Sequence, residues 1–170
     1  MAIHQLNHAV LYVRDAERST AFYGDVLGFS VVQSFPGAAF LRAPGSTNDH
    51  DLGLFSIGED AAASGASRRT VGLYHLAWEV ETLGDLADLA AKLSEHGALV
   101  GASNHGTTKS LYARDPDGLE FEVVWLIPAR LLTDDDRNGA ITAPLDLASE
   151  IERFGRNAPS GIGVSRHAAL

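Results

Sequence analysis

Eighteen residues from His105 to Glu122, HGTTKSLYARDPDGLEFE, bring together a histidine, a tyrosine, a rigid acidic turn and a strand glutamate. Imidazole and phenol hold or pass protons and a carboxylate holds a cation, so the stretch reads as half of an active site. Asp115-Pro116-Asp117-Gly118 is turn chemistry: proline presets φ, the aspartates bond to local backbone, and glycine accepts positive φ. In the strand that follows, Leu119, Phe121, Val123 and Trp125 share one face, and Glu120, Glu122 and Val124 the other. Glu122 is therefore mid-strand among apolar neighbours, where a carboxylate carries a large desolvation cost unless a cation or metal neutralises it. The chain has no cysteine, so any metal is held by His, Asp or Glu.

The elements that position these groups follow from periodicity and punctuation. Leu6 to Val13 alternates loosely as a strand, and Asp15 caps a helix, AERSTAFYGDVLG, that closes at Gly28. Phe22, Tyr23, Val26 and Leu27 recur at helical spacing and read as core. Strands are expected at Phe29 to Phe35, Ala38 to Arg42 and Leu52 to Ile57, and a small, polar linker at Gly58 to Thr70. The order then starts again. A strand at Val71 to Val80, a helix LGDLADLAAKLSEHG capped by Thr82, and strands at Ala98 to Ala102, Ser110 to Arg114 and Leu119 to Trp125 repeat the pattern.

A shift of 67 residues lays Leu6-Asn7-His8-Ala9 on Leu73-Tyr74-His75-Leu76, so each repeat opens with a mid-strand histidine. The same shift puts Phe55 where the second repeat has Glu122. The fold expected is α+β, with two tandem βαβββ modules in residues 1–127 (repeats about 4–58 and 71–126) that share a sheet system about a pseudo-twofold. Residues 128–170 form a C-terminal extension with one short helix within Leu145 to Phe154 and a frayed tail beyond Gly155. Packing or subunit contact is the role expected of it.

Composition narrows the function classes. The chain has 170 residues, enough for one domain with an appendage, and 45% apolar content supports a real core. Twenty-two acidic against thirteen basic residues give a net charge of -9, with no basic cluster beyond Arg68-Arg69, which argues against nucleic acid as partner. The first residues lack a signal-peptide pattern and no long apolar run exists, so a cytoplasmic protein without a membrane partner is expected.

These residues resemble the vicinal-oxygen-chelate superfamily, which includes glyoxalase I, antibiotic-resistance proteins and type I extradiol ring-cleavage dioxygenases. The resemblance covers about residues 4 to 126. Its broad marks are Ser19-Thr20-Ala21-Phe22-Tyr23 leading to Leu27-Gly28-Phe29, and the DPDG turn with Glu122 four residues after Gly118. More specific is His105, then five residues, Leu111-Tyr112, two more, Asp115-Pro116, Gly118 and Glu122, which looks like the extradiol dioxygenase signature and departs from it at Ser103.

The resemblance implies a curved mixed sheet around a metal held by His8, His75 and Glu122. Two imidazoles and one carboxylate on one face of an ion leave open positions, the arrangement non-haem Fe(II) enzymes use to hold substrate beside dioxygen. Fe(II) is the metal implied, with Mn(II), Zn(II) or Ni(II) as alternatives. His105 and Tyr112 match positions where a histidine hydrogen-bonds the substrate or dioxygen and a tyrosine holds a substrate hydroxyl or the intermediate. The activity implied is extradiol cleavage of a catechol-type diol with O2 by a homodimer, with Phe35, Phe40, Trp78, Trp125 and the tail shaping the pocket.

One acid-base histidine of the two-domain extradiol enzymes has no counterpart, because Gly58-Glu59-Asp60-Ala61 stands in its place and His50 is the nearest upstream histidine. Two alternatives stay open: a metal-dependent isomerase or transferase of glyoxalase or fosfomycin-resistance type, and a non-catalytic drug-binding protein. Leu54-Phe55, where glyoxalases carry a fourth ligand, favours a three-ligand site.

Overall fold

A computed structural model describes residues 3, 5–66, 69–139 and 142–161. The chain divides into two units, one of residues 1–65 with 115–119 and one of residues 66–114 with 120–170.

In the first unit the strands β1 (Ala9–Val13), β2 (Ser30–Phe35), β3 (Ala38–Arg42) and β4 (Leu52–Ser56) form a sheet in the order β1-β4-β3-β2. β1 runs parallel to β4 and the other pairs are antiparallel. The helix α1 (Ala16–Leu27) begins where the Asp15 carboxylate accepts from the amides of Glu17 and Arg18, and ends at Gly28 with φ 78°. A left-handed residue there costs glycine no Cβ clash. Tyr23 and Val26 of α1 join Val13, Leu41, Leu52 and Leu54 in a buried core, each large apolar side chain contributing about 1.5–3 kcal/mol by leaving water.

The turn Asp115 to Leu119 belongs to this unit. The Asp115 carboxylate accepts from the amides of Asp117 and Leu119, and the Tyr23 hydroxyl donates to it at 3.4 Å. Burial raises the Asp115 pKa above the usual carboxylate value, and burial together with Asp115 raises the Tyr23 phenol well above its own. Asp117 receives Arg14 at 3.0 Å and Arg18 at 2.8 Å.

The second unit repeats this topology. Strands β5 (Leu76–Glu79), β6 (Leu99–Asn104), β7 (Thr108–Arg114) and β8 (Glu120–Leu126) are ordered β5-β8-β7-β6, with β5 parallel to β8. A further strand, β9 (Ala143–Pro144), pairs with β6. The helix α2 (Leu83–Glu95) carries the expected cap at Thr82, reciprocated by Asp85 in a capping box. Its Leu83, Leu86 and Leu93 are buried, as are Leu111, Ala113, Phe121, Val123 and Trp125 of β7 and β8, against which it packs.

Three expectations need correction. His8 and His75 do not lie mid-strand; each stands one residue before its strand. Pairing of β1 begins at Ala9 opposite Leu52, and pairing of β5 at Leu76 opposite Phe121, because the partner strands themselves begin there or one residue earlier. The segment after Leu126 holds more than one helix: a single 3-10 turn at Ala129–Leu131, α3 (Asp134–Asn138), β9 and α4 (Leu147–Phe154).

Nor does the chain fray at Gly155. The Trp125 indole N–H donates to the Ala158 carbonyl at 3.1 Å, the Leu83 amide donates to the same carbonyl, and the Ser160 amide donates to Glu81. The tail expected beyond residue 161, and Ser67 and Arg68 of the linker, lie outside the described residues. Among the described residues no helix is long and apolar enough to cross a membrane.

Arg153 of α4 grips Asp136 of α3 through two bonds of 2.8 and 2.7 Å, and holds its carboxyl well below the usual range. A depressed folded-state pKa gives stability that is complete above the unfolded carboxylate value of about 4 and lost as pH falls below it. The urea midpoint should therefore fall more between pH 6 and pH 3 in the wild type than in Asp136→Asn, measured by circular dichroism.

Candidate active site

β8 is sealed on one side by Phe121, Val123 and Trp125, so the two-residue period turns Glu122 to the other face with its side chain 14% exposed. The antiparallel register sets Tyr112 of β7 directly opposite Glu122. On the parallel side, Ala77 of β5 is the partner of Glu122. His75, just ahead of β5, brings its Nε2 to 3.0 Å from Glu122 Oε2. Its ring also contacts Tyr112 at a centroid distance of 5.8 Å and Tyr74 at 4.5 Å.

His75 Nδ1 is buried without a hydrogen-bond partner. Two donor atoms each about 2.1 Å from one ion and at right angles to it are about 3 Å apart, so the spacing of Nε2 and Oε2 suits shared coordination. No group of three or more His, Asp and Glu side chains is set to hold a metal among the described residues. The second unit supplies a pair.

Tyr112 leads on to His105. The His105 Nε2 lies 2.8 Å from the Tyr112 hydroxyl. Burial, and next the Glu122 carboxylate, raise the Tyr112 phenol above its ordinary value, which keeps it a hydrogen-bond donor at neutral pH. His75, Glu122, Tyr112 and His105 thus form one polar run within the second unit.

His8 belongs to the first unit, where it is exposed and its Nδ1 lies 2.7 Å from Asn7 Oδ1. Its ring stands 4.5 Å from that of His50, which contacts Phe40 at 5.1 Å and pairs with Asp49 at 3.1 Å. Phe40 in turn meets Phe55 at 5.8 Å and Phe35 at 6.4 Å. Phe55 therefore occupies an aromatic cluster in the first unit where the second unit carries Glu122. The open cleft of about 220 Å³ lined by Tyr12, Arg14, Ile57 and Asp117 includes none of the five residues singled out in the sequence.

Residues 5–123 match the description Glyoxalase/Bleomycin resistance protein/Dioxygenase superfamily. The chain belongs to this superfamily. It is 33% identical over 161 residues to a catechol-2,3-dioxygenase of Bacillus subtilis (strain 168), an alignment covering 91% of this chain and 54% of that protein. It is 38% identical over 123 residues to biphenyl-2,3-diol 1,2-dioxygenase 3 of Rhodococcus globerulus, covering 70% of this chain and 62% of that one. The chain thus spans roughly half to three fifths of these relatives. A glyoxylase/bleomycin resistance protein/dioxygenase domain from Frankia sp. EAN1pec shares the fold, with a TM-score of 0.59 and 23% identity over 72% of this chain and 92% of that one.

Trp125, expected to help shape the pocket of this superfamily member, is fully buried on the opposite side of β8. Sequence reasoning passed over Lys109, although its inward alternation with Leu111 and Ala113 was a signal: its side chain is 1% exposed. Replacing Tyr112 by Phe removes the bond to His105 at a net cost of about 1 kcal/mol. Urea unfolding should show that small loss, and the His105 ring-nitrogen resonances should shift; unchanged resonances would mean that the bond does not form in solution.

Proposed function

We propose that this chain bears the site of an extradiol dioxygenase, which opens the ring of a catechol-type aromatic diol with O2. The observation that carries the reading is the run His75, Glu122, Tyr112 and His105 on one face of the second sheet. Similarity to proteins named as catechol and biphenyl-diol dioxygenases supports it.

His75 and Glu122 would hold the metal, with His8 as the third ligand by its repeat-related position. The 3.0 Å spacing of His75 Nε2 and Glu122 Oε2 fits a divalent ion. When bound, the ion, read as Fe(II), supplies the acidity that ionises a diol and the redox capacity that dioxygen chemistry needs.

The protein's own groups do the rest. Tyr112 presents a protonated phenol beside Glu122; the phenol oxygen accepts from a diol hydroxyl while its own proton is donated to His105 Nε2. A proton released by the diol has a path of 2.8 Å from Tyr112 Oη to His105 Nε2. His105 and Tyr112 are therefore the acid-base pair of this reading. In the first unit, Phe35, Phe40 and Phe55 form an aromatic surface around His50 and His8 that suits a flat apolar ring.

Anaerobic loading with Fe(II), followed by oxygen consumption with catechol and biphenyl-2,3-diol, tests the reading. Stoichiometric uptake with a yellow ring-opened product is expected. Tight metal binding without uptake on either diol would overturn it in favour of Lewis-acid isomerase or transferase chemistry. Glu122→Gln should weaken metal binding by more than about a hundredfold, and unchanged metal content in that variant would refute the ligand set.

A further inference from the structure

Lys109 points into the second unit from β7, opposite fully buried Trp125, with its side chain 1% exposed. Its ammonium group donates to Asn104 Oδ1 at 2.7 Å and to the Gly106 carbonyl at 3.0 Å, and pairs with Glu150 Oε1 of α4 at 3.2 Å. The ammonium thus makes two hydrogen bonds and one ion pair. Two of those acceptors flank His105 directly.

The remaining contacts tie the same turn. Asn104 Oδ1 also accepts from the Gly106 amide at 2.8 Å, and Asn104 Nδ2 donates to Glu150 Oε1 at 3.2 Å. Gly106 has φ 76°, and a Cβ at that position would collide with the Asp136 carbonyl oxygen of α3. Arg153 clamps Asp136 from α4. Thr142, just before β9, brings its hydroxyl to 3.5 Å from His105 Nδ1, the nitrogen that does not face Tyr112.

We infer that the C-terminal extension is a positioning device for the candidate site: Glu150, acting through buried Lys109, holds the turn that carries His105, and Thr142 engages its Nδ1, so that Nε2 is directed at Tyr112. Lys109, Glu150 and Thr142 are positioning residues, since none of them belongs to the proposed ligand set or acid-base pair. The inference rests on the reading of His105 as a site residue. A buried ion pair does not by itself explain stability, because apolar side chains of similar volume commonly serve as well or better. What apolar residues cannot supply here is the set of directed bonds to Asn104 and Gly106 on either side of the histidine.

That contrast provides the test. The double variant Lys109→Met with Glu150→Leu should fold with a melting temperature near or above wild type, since it replaces the pair by apolar groups. In the metal-free, 15N-labelled full chain, amide exchange at residues 105–108 should accelerate by about tenfold or more while that of β8 stays unchanged. The His105 ring nitrogens should change from one tautomer to an averaged mixture. In Fe(II)-loaded protein, kcat for oxygen uptake with catechol should fall by about tenfold or more, with KM moving by less than about threefold and metal content unchanged.

Unchanged exchange and unchanged His105 signals in the folded double variant would overturn the inference. A loosened His105 with kcat unchanged would overturn its role in the reaction, and with it the working role of the extension. Should wild type consume no oxygen, the function reading fails while the resonance arm still decides the positioning. Should the double variant not fold, Thr142→Val at its exposed position reads the same ring signals: a shifted Nδ1 supports the inference and an unshifted one overturns it.

Discussion

The register of β8 against its two neighbours is the constraint on which the candidate site depends. Phe121, Val123 and Trp125 are sealed into the core on one side, so a slip of one residue would expose three large apolar groups and bury Glu120 and Glu122 instead. That cost fixes the opposite face. Glu122 then lies across from Tyr112 on the antiparallel side and within reach of His75 on the parallel side. The turn at residues 115–119, which precedes β8 in the chain, is tied within the first unit by Asp115 to the backbone and by Asp117 to Arg14 and Arg18.

The two units show how one topology serves two chemistries. Both place a helix over a mixed sheet whose first strand runs parallel to its last, and both have a histidine just before that first strand. At the equivalent point of the last strand the first unit has Phe55, packed with Phe40, and the second has Glu122 beside an imidazole. A single position in a repeated module thus separates an aromatic surface from a charged site. The physical difference is local: a ring there needs only neighbours, whereas a half-buried carboxylate needs a partner.

The segment after β8 is woven into the second unit rather than appended to it. Its carbonyl at Ala158 accepts from both the Trp125 indole and the Leu83 amide, and Phe154 lies 5.3 Å from the Trp125 ring. The buried Lys109–Glu150 pair sits between this segment and the His105 turn. A buried pair of this kind is not in itself a source of stability, because its desolvation cost offsets the attraction.

The order of elements was legible in the residues alone, because capping at Asp15 and Thr82, glycine at position 28, the DPDG turn and the period-two pattern of β8 are local signals. So was the internal repeat, which lays His8 on His75. These features depend on neighbours a few residues apart, or on the sequence compared with itself. The strand ends, the docking of residues 156–161, the inward lysine and the bond between His105 and Tyr112 were decided by tertiary structure. Each depends on what a distant segment places opposite: β1 and β5 begin only where β4 and β8 offer partners, and Lys109 is buried only because Glu150 arrives from forty-one residues away. Local sequence determines which groups are present and which face they share; long-range pairing determines which of them meet.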